Sequence, residues 1–111
     1  MKIVSLAEIP ETAVSHNPAI RKQLMLGTGE LSNLIQFSQA RFPPGELAPT
    51  HTHNDMAEVF FVSSGRGRIT VDGREFEIYP GACILVEANE HHEILNDGDT
   101  DLVLLYFGLR D

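Results

Sequence analysis

The sequence lacks several features that mark secreted and membrane proteins. It has one cysteine, Cys83, and no tryptophan. No disulfide can form within the chain, and a reducing cytoplasm is therefore the expected location. The longest apolar run, Leu102–Leu109, is too short to span a bilayer. No secretory signal is visible near the first residue, because Glu8 soon interrupts the apolar stretch.

Basic residues are also scarce. Lys and Arg total 8 against 16 Asp and Glu, which gives a formal net charge of −8. Nucleic acids are bound through basic faces, and anionic membrane surfaces attract basic segments. We therefore expect neither a nucleic acid nor a membrane as a partner.

Turn residues divide the 111-residue chain into short apolar runs. Such runs at regular spacing are typical of an all-β sandwich or barrel. Asp72-Gly73 supplies a hairpin turn, after which alternation predicts that Phe76 and Ile78 face the core. Cys83 is predicted to be a small buried hydrophobic residue. The runs predicted as strands are 20–26, 31–42, 58–63, 66–71, 74–79, 82–86, 91–95 and 102–107.

The first thirty residues give the weakest pattern. We expect edge strands or loop over 1–30, with one helical turn over 5–9 that stops at Pro10. Residues 15–18 are predicted to be loop, and His16 within them is predicted to be a surface residue. The whole chain, 1–111, is predicted to be one domain.

Three histidines and one carboxylate stand out. His51 and His53 lie two positions apart, so on an extended strand they point to one face. Glu58 follows, and His92 begins a later strand. Three imidazoles and a carboxylate suit Mn, Fe, Co, Ni, Cu or Zn. An isolated His-x-His pair is more often a surface feature, so the surrounding residues decide.

Those surroundings resemble the cupin superfamily. Its first motif is a glycine, five residues, His-x-His, three or four residues, Glu, six residues and a glycine. This motif is matched at every position by Gly45, His51, His53, Glu58 and Gly65. The second motif is matched by Gly81, His92 and Asn96, whereas Glu87 and Asn89 stand where proline and glycine are usual. Asn tolerates the left-handed backbone that glycine adopts, so the change at Asn89 is mild.

The resemblance implies a double-stranded β-helix, or jelly-roll barrel, of two antiparallel sheets over residues 31–108. It implies one divalent transition metal held by His51, His53, Glu58 and His92. Glu58 is either a ligand or, if released from the metal, a general base. Motif spacing selects His92 over His91, which is predicted to face solvent.

Alternation assigns further residues to the interior. Phe60 shares the face of Glu58, and Ile94 shares the face of His92. Gln36 faces either the cavity or solvent, since the sequence does not decide between them. Asn96 is a candidate partner for a ligand histidine. The candidate residues of the substrate pocket are Phe60, Ile94, Gln36 and Asn96.

Three functions remain open. The leading hypothesis is a metal-dependent enzyme acting on a small molecule, as a dioxygenase or as an isomerase or lyase. The second is a non-catalytic module that binds a sugar or another metabolite. The third, a purely structural barrel, does not explain four convergent polar groups in a core. Val59 and Phe61 are expected to point away from the interior, and a second copy of the chain is expected to cover them in a homodimer.

Overall fold

The computed structural model describes residues 1–111. It is built almost wholly from strands, with one short 3₁₀ helix over Leu6–Glu8. No helix is long and apolar enough to cross a membrane. In chain order, the strands are β1 (Thr12–Val14), β2 (Asn17–Leu26), β3 (Leu34–Phe42), β4 (Leu47–His51), β5 (Ala57–Ser64), β6 (Gly67–Val71), β7 (Arg74–Ile78), β8 (Cys83–Val86), β9 (His92–Leu95) and β10 (Leu102–Leu109).

The strands form two sheets in which every pairing is antiparallel. The larger sheet has six strands in the order β1-β2-β3-β10-β5-β8, and the smaller has four in the order β4-β9-β6-β7. Several neighbours in the sheets are distant in sequence, as when β10 pairs with both β3 and β5. This arrangement confirms the predicted all-β barrel of two antiparallel sheets.

The core lies between the two sheets. Strands alternate between inward apolar residues and outward residues, as in β10, where Leu102, Leu104 and Tyr106 are buried and their neighbours are partly exposed. Both sheets contribute to one cluster of twelve buried residues. The members of this cluster are Ile20, Ala40, Phe42, Phe60, Val62, Ile69, Ile78, Val86, Ile94, Leu102, Leu104 and Tyr106.

Gly65 lets the chain turn from β5 into β6 close to another backbone segment. Its φ of 81° is in the left-handed region, and a Cβ atom there would overlap the carbonyl oxygen of Asp101. Only glycine meets both conditions without strain. The second glycine of the first motif is therefore a structural requirement of this barrel.

Two predictions of burial are wrong. Phe76 is 47% exposed, although Ile78 on the same strand is buried as expected. β7 is an edge strand, so Phe76 lies where little covers it except the Arg74 guanidinium, 5.6 Å from the ring centroid. Cys83 is likewise exposed, on the edge strand β8. Alternation predicts the side of a sheet, and the position of the strand in the sheet decides how much covers that side.

The N-terminal region is more ordered than predicted. β1 is an edge strand, in agreement with the expectation of edge strands or loop over 1–30, whereas β2 begins at Asn17, within the residues predicted to be loop. The Asn17 side-chain amide donates a hydrogen bond to the carbonyl oxygen of Leu47, 2.8 Å away. This contact links β2 of the larger sheet to β4 of the smaller sheet.

Candidate metal centre

Four side chains converge at one end of the barrel. The donor atoms of His51, His53, Glu58 and His92 all lie within 4.8 Å of one another. His51 ends β4, His53 follows it, Glu58 lies on β5 and His92 begins β9. The two sheets therefore both contribute donors, and the structure brings together all four residues that the motifs single out.

Strand pairing sets the spacing of the imidazoles. His51 pairs with His92 across β4 and β9, and their ring centroids are 4.2 Å apart. The His53 ring lies 5.1 Å from His51 and 6.0 Å from His92. The three rings form a compact triangle that leaves Glu58, on the opposite sheet, to complete the group.

Glu58 and His92 carry buried polar atoms without a hydrogen-bond partner. The Oε1 atom of Glu58 lies 3.3 Å from His53 Nε2 and 3.2 Å from His92 Nε2. Glu58 is 6% exposed and His92 is 1% exposed, and neither Glu58 Oε1 nor His92 Nε2 makes a hydrogen bond. A buried polar atom left unpaired costs about 1–3 kcal/mol. A cation between these atoms would remove that cost for both.

Two of the histidines are oriented by backbone carbonyls. His51 Nδ1 lies 2.9 Å from the carbonyl oxygen of Pro49, and His92 Nδ1 lies 3.4 Å from that of Glu90. An imidazole that donates from Nδ1 presents the lone pair of Nε2, which is the arrangement of histidine ligands in metal sites. Burial lowers the pKa of His51, an effect that its contact with Pro49 opposes. Burial thus favours the neutral ring that binds a metal.

The turn before His92 holds the second motif in register with the first. Asn89 has a φ of 71°, so asparagine adopts the left-handed conformation at the position where glycine is usual. Its backbone N–H donates to the carbonyl oxygen of His53, 2.7 Å away. His91 points outward with a side chain 63% exposed, beside Asp72. The substitution at Asn89 therefore preserves the turn, and the structure places His92, not His91, among the donors.

A cavity of about 390 Å³ adjoins the donors. Phe60, Ile94 and Gln36 line it, as the sequence analysis proposed. Asn96 does not: it is fully buried elsewhere, and its side-chain amide donates to the carbonyl oxygens of Phe42 and Thr100, each 2.8 Å away. The assignment of Asn96 to the pocket is therefore wrong, because its side chain is buried away from the cavity and links β3 to the loop between β9 and β10.

The cavity also contains residues that the sequence analysis missed. Tyr106 and Lys22 reach it from β10 and β2, and Met56 from the loop before β5. His16, which was assigned to the surface, is exposed but lines the cavity as well. For Tyr106 the signal was available, since it alternates with Leu102 and Leu104 along one strand. The others depend on which strands become neighbours, which local patterns do not reveal.

Tyr106 lines the cavity beside Phe60. Its ring stacks on Phe60 with centroids 5.7 Å apart and an interplanar angle of 20°. Burial raises the pKa of Tyr106 to about 12, despite the opposing effect of the neighbouring Ser38 hydroxyl. Tyr106 therefore presents a neutral hydroxyl to the cavity at physiological pH.

Comparison with protein families identifies the class that this fold and this site define. The cupin domain model matches residues 38–108, a segment that contains all four donors. The chain belongs to the cupin family.

The individual relatives that the chain resembles differ in function from one another. The chain is 30% identical over 69 residues to an oxalate-binding protein of Thermotoga maritima, a match that covers 62% of this chain and 57% of that protein. It is 28% identical over 98 residues to gentisate 1,2 dioxygenase 1 of Aquipseudomonas alcaligenes, covering 83% of this chain and 28% of the enzyme. The chain thus matches little more than half of the first relative's length and about a quarter of the second's.

Solved structures agree on the fold. A crystal structure of a predicted oxalate decarboxylase from Thermotoga maritima superimposes with a TM-score of 0.93 at 23% identity, covering 99% of this chain and 100% of the other. A sugar phosphate isomerase from Silicibacter pomeroyi superimposes with a TM-score of 0.84 at 21% identity, covering 99% of this chain and 76% of the other. At these identities the likeness shows the barrel and not the activity.

Proposed function

We propose that the chain binds one divalent transition metal through His51, His53, Glu58 and His92, and uses it to act on a small molecule in the adjoining cavity. The observation that carries this proposal is the pair of buried, unpartnered donor atoms, Glu58 Oε1 and His92 Nε2. The two atoms lie 3.2 Å apart but do not form a hydrogen bond with each other. A cation with nitrogen and oxygen ligands satisfies both.

The donor set suits Mn, Fe, Co, Ni, Cu or Zn, and does not select among them. Such a metal would supply Lewis acidity, or redox chemistry if it is iron, manganese or copper, at coordination positions that four protein ligands leave open. The residues of the chain would position the ligand and shield the metal from water. Phe60 and Ile94 form an apolar wall that limits water, and the neutral Tyr106 hydroxyl offers a hydrogen bond to a bound ligand. Glu58 accepts a proton if it leaves the metal.

An enzyme is the leading candidate, with dioxygenase, isomerase or lyase chemistry. Support comes from the open cavity beside the donors and from relatives that include a dioxygenase. The second candidate is a protein that binds a metabolite without converting it. It is supported by the oxalate-binding protein among the relatives.

The experiment that tests metal binding compares the purified chain with a Glu58→Gln variant. We expect close to one equivalent of metal per wild-type chain by elemental analysis after reconstitution with each candidate metal, and much less in the variant. A wild-type chain that retains no transition metal under any reconstitution would overturn the proposal.

Turnover then separates the two candidates. The loaded protein is incubated with small enols, diols and carboxylates while oxygen uptake and product formation are followed. Product formed in proportion to metal content supports the enzyme. A ligand that raises the melting temperature but is recovered unchanged supports the binding protein.

A further inference from the structure

One cationic side chain enters the cavity. Lys22 lies on β2 and pairs in register with Ala40 on β3, which in turn pairs with Leu104 on β10. Leu104 and Ala40 are 1% and 4% exposed, and residues paired across antiparallel strands point to the same face. Lys22 is therefore directed inward, and it lines the same cavity as the four donors.

Lys22 has no anionic partner within the protein. Arg41, Arg68 and Arg110 each pair with at least one carboxylate, and so does Lys2, the other lysine. Lys22 takes part in none of the chain's ion pairs, although acidic residues outnumber basic ones 16 to 8. Arg21, Arg66 and Arg74 are unpaired as well, but none of them lines the cavity. Lys22 is half-buried, and an ammonium without an ionic partner can form a charge-assisted hydrogen bond with an anion that enters the cavity.

The cavity cannot supply the missing charge from its own lining. Glu58 is the only carboxylate there, and its Oε1 atom lies between His53 and His92. With a divalent metal at the donors and the histidines neutral, the combined charge of metal, Glu58 and Lys22 is positive. An anionic ligand would neutralise it.

We propose that Lys22 binds a carboxylate of the ligand, at a point separate from the oxygens that the metal binds. The inference rests on the proposed function and specifies its substrate class: a small organic acid with a metal-chelating end and a second, distal carboxylate. A cavity of about 390 Å³ is of a size that encloses a small molecule. A single ammonium matches one carboxylate, whereas a phosphate monoester carries nearly two charges and would need further donors.

The chain offers a direct probe because it contains only two lysines, Lys2 and Lys22. Biosynthetic labelling with carbon-13 lysine gives one side-chain signal from each, and a Lys22→Arg variant assigns them. The zinc-loaded protein, which is diamagnetic, is titrated with α-hydroxyglutarate and, separately, with α-hydroxyvalerate. The two acids share the chelating end and differ in the distal carboxylate. We expect the Lys22 signal to move with the first acid only, and the Lys2 signal to move with neither.

Affinity gives the quantitative test. A charge-assisted contact of this kind should make the loaded wild-type protein prefer the diacid by about tenfold, or about 1.4 kcal/mol. Malate and α-hydroxybutyrate form a shorter matched pair, so that the span between metal and Lys22 does not decide the outcome. Lys22→Met should abolish the preference without changing the metal content, whereas Lys2→Met should leave it intact. Equal affinities for both acids in both pairs, or a preference that survives Lys22→Met, would overturn the proposal.

Failure of the metal site is distinguishable from failure of this inference. If no metal binds, the proposed function is wrong, and Lys22 is then tested in the metal-free protein with glutarate and with the uncharged glutaramide. A Lys22 signal that moves with glutarate alone still supports a carboxylate site at Lys22. A signal that moves with neither contradicts it.

Discussion

The adjacent pair His91 and His92 allows a matched test of the metal centre. Replacing either histidine by glutamine makes the same chemical change at neighbouring positions. The His92 side chain is 1% exposed and its Nε2 atom lies 3.2 Å from Glu58 Oε1, whereas the His91 side chain is 63% exposed and faces Asp72. Only His92→Gln removes a proposed ligand, so only this variant should lose the stabilisation that metal brings.

The size of the effect follows from linkage between binding and folding. A metal at one hundred times its dissociation constant stabilises the native state by about 2.7 kcal/mol. For a chain of about one hundred residues this corresponds to a rise in melting temperature of about 10–20 °C. If the loss of one of four ligands weakens binding by about a hundredfold, the same metal concentration contributes only about 0.4 kcal/mol. The expected rise for His92→Gln is then about 2–3 °C.

Differential scanning calorimetry with chelator and with saturating metal measures these shifts. His91→Gln should shift as the wild type does, and His92→Gln should hardly shift. Circular dichroism in the presence of chelator shows whether each variant is folded before metal is added. A full shift in folded His92→Gln, or a lost shift in His91→Gln, would refute the assignment of the ligand.

Three further predictions concern the rest of the barrel. In a Tyr79→Phe background, which leaves one phenol, Tyr106 should ionise with a midpoint at about pH 12 instead of 10.0. The contribution of neutral Tyr106 to stability, complete below pH 10 and about 3 kcal/mol in size, should be lost as pH rises towards 12. A phenolate absorbance that appears at pH 10 in the folded protein contradicts this prediction. In denaturant titrations, Gly65→Ala should lower the free energy of unfolding by more than about 3 kcal/mol. Gly73→Ala, at a residue with a similar φ but open space around it, should lower it by about 1–2 kcal/mol. Equal losses would show that the close approach of Gly65 to the Asp101 carbonyl is unimportant. The homodimer stays a prediction: Phe61 is 41% exposed on the outer face, so Phe61→Ser should weaken a dimer seen by light scattering, and a wild-type monomer at micromolar concentration counts against it.

The strands of the barrel core could be predicted because local patterns specify them. Alternation and turn residues locate β5, β6, β9 and β10 to within a few residues of their observed bounds. β4 was not among the runs predicted as strands, and it contains Pro49. β4 is an edge strand of the smaller sheet, where a proline is tolerated because one side of the strand needs no ladder hydrogen bond.

The four clustered donor residues could be predicted for a different reason. Their spacing is fixed by the motifs, so that His51, His53, Glu58 and His92 were assigned together without knowledge of which strands pair. The remainder of the cavity depends on pairing between strands that are distant in sequence. Lys22 becomes an interior residue only because β2 pairs with β3 in the register that aligns it with Ala40. A charged residue in an isolated run is by default placed at the surface.

The four donors and Lys22 lie in different parts of the chain, and this bears on which ligands the cavity would select. The segment that matches the cupin model, residues 38–108, contains all four proposed metal donors, whereas Lys22 and His16 lie before it and line the same cavity. The matched segment supplies the four clustered donors, and β1 and β2 supply side chains that line the adjoining cavity. A barrel that keeps the four donors but carries an apolar residue in place of Lys22 would present the same metal to a cavity without a second charge. Replacement of this one side chain should therefore change which acids bind while leaving the metal in place, which is the separation that the paired substitutions of Lys22 and Lys2 measure.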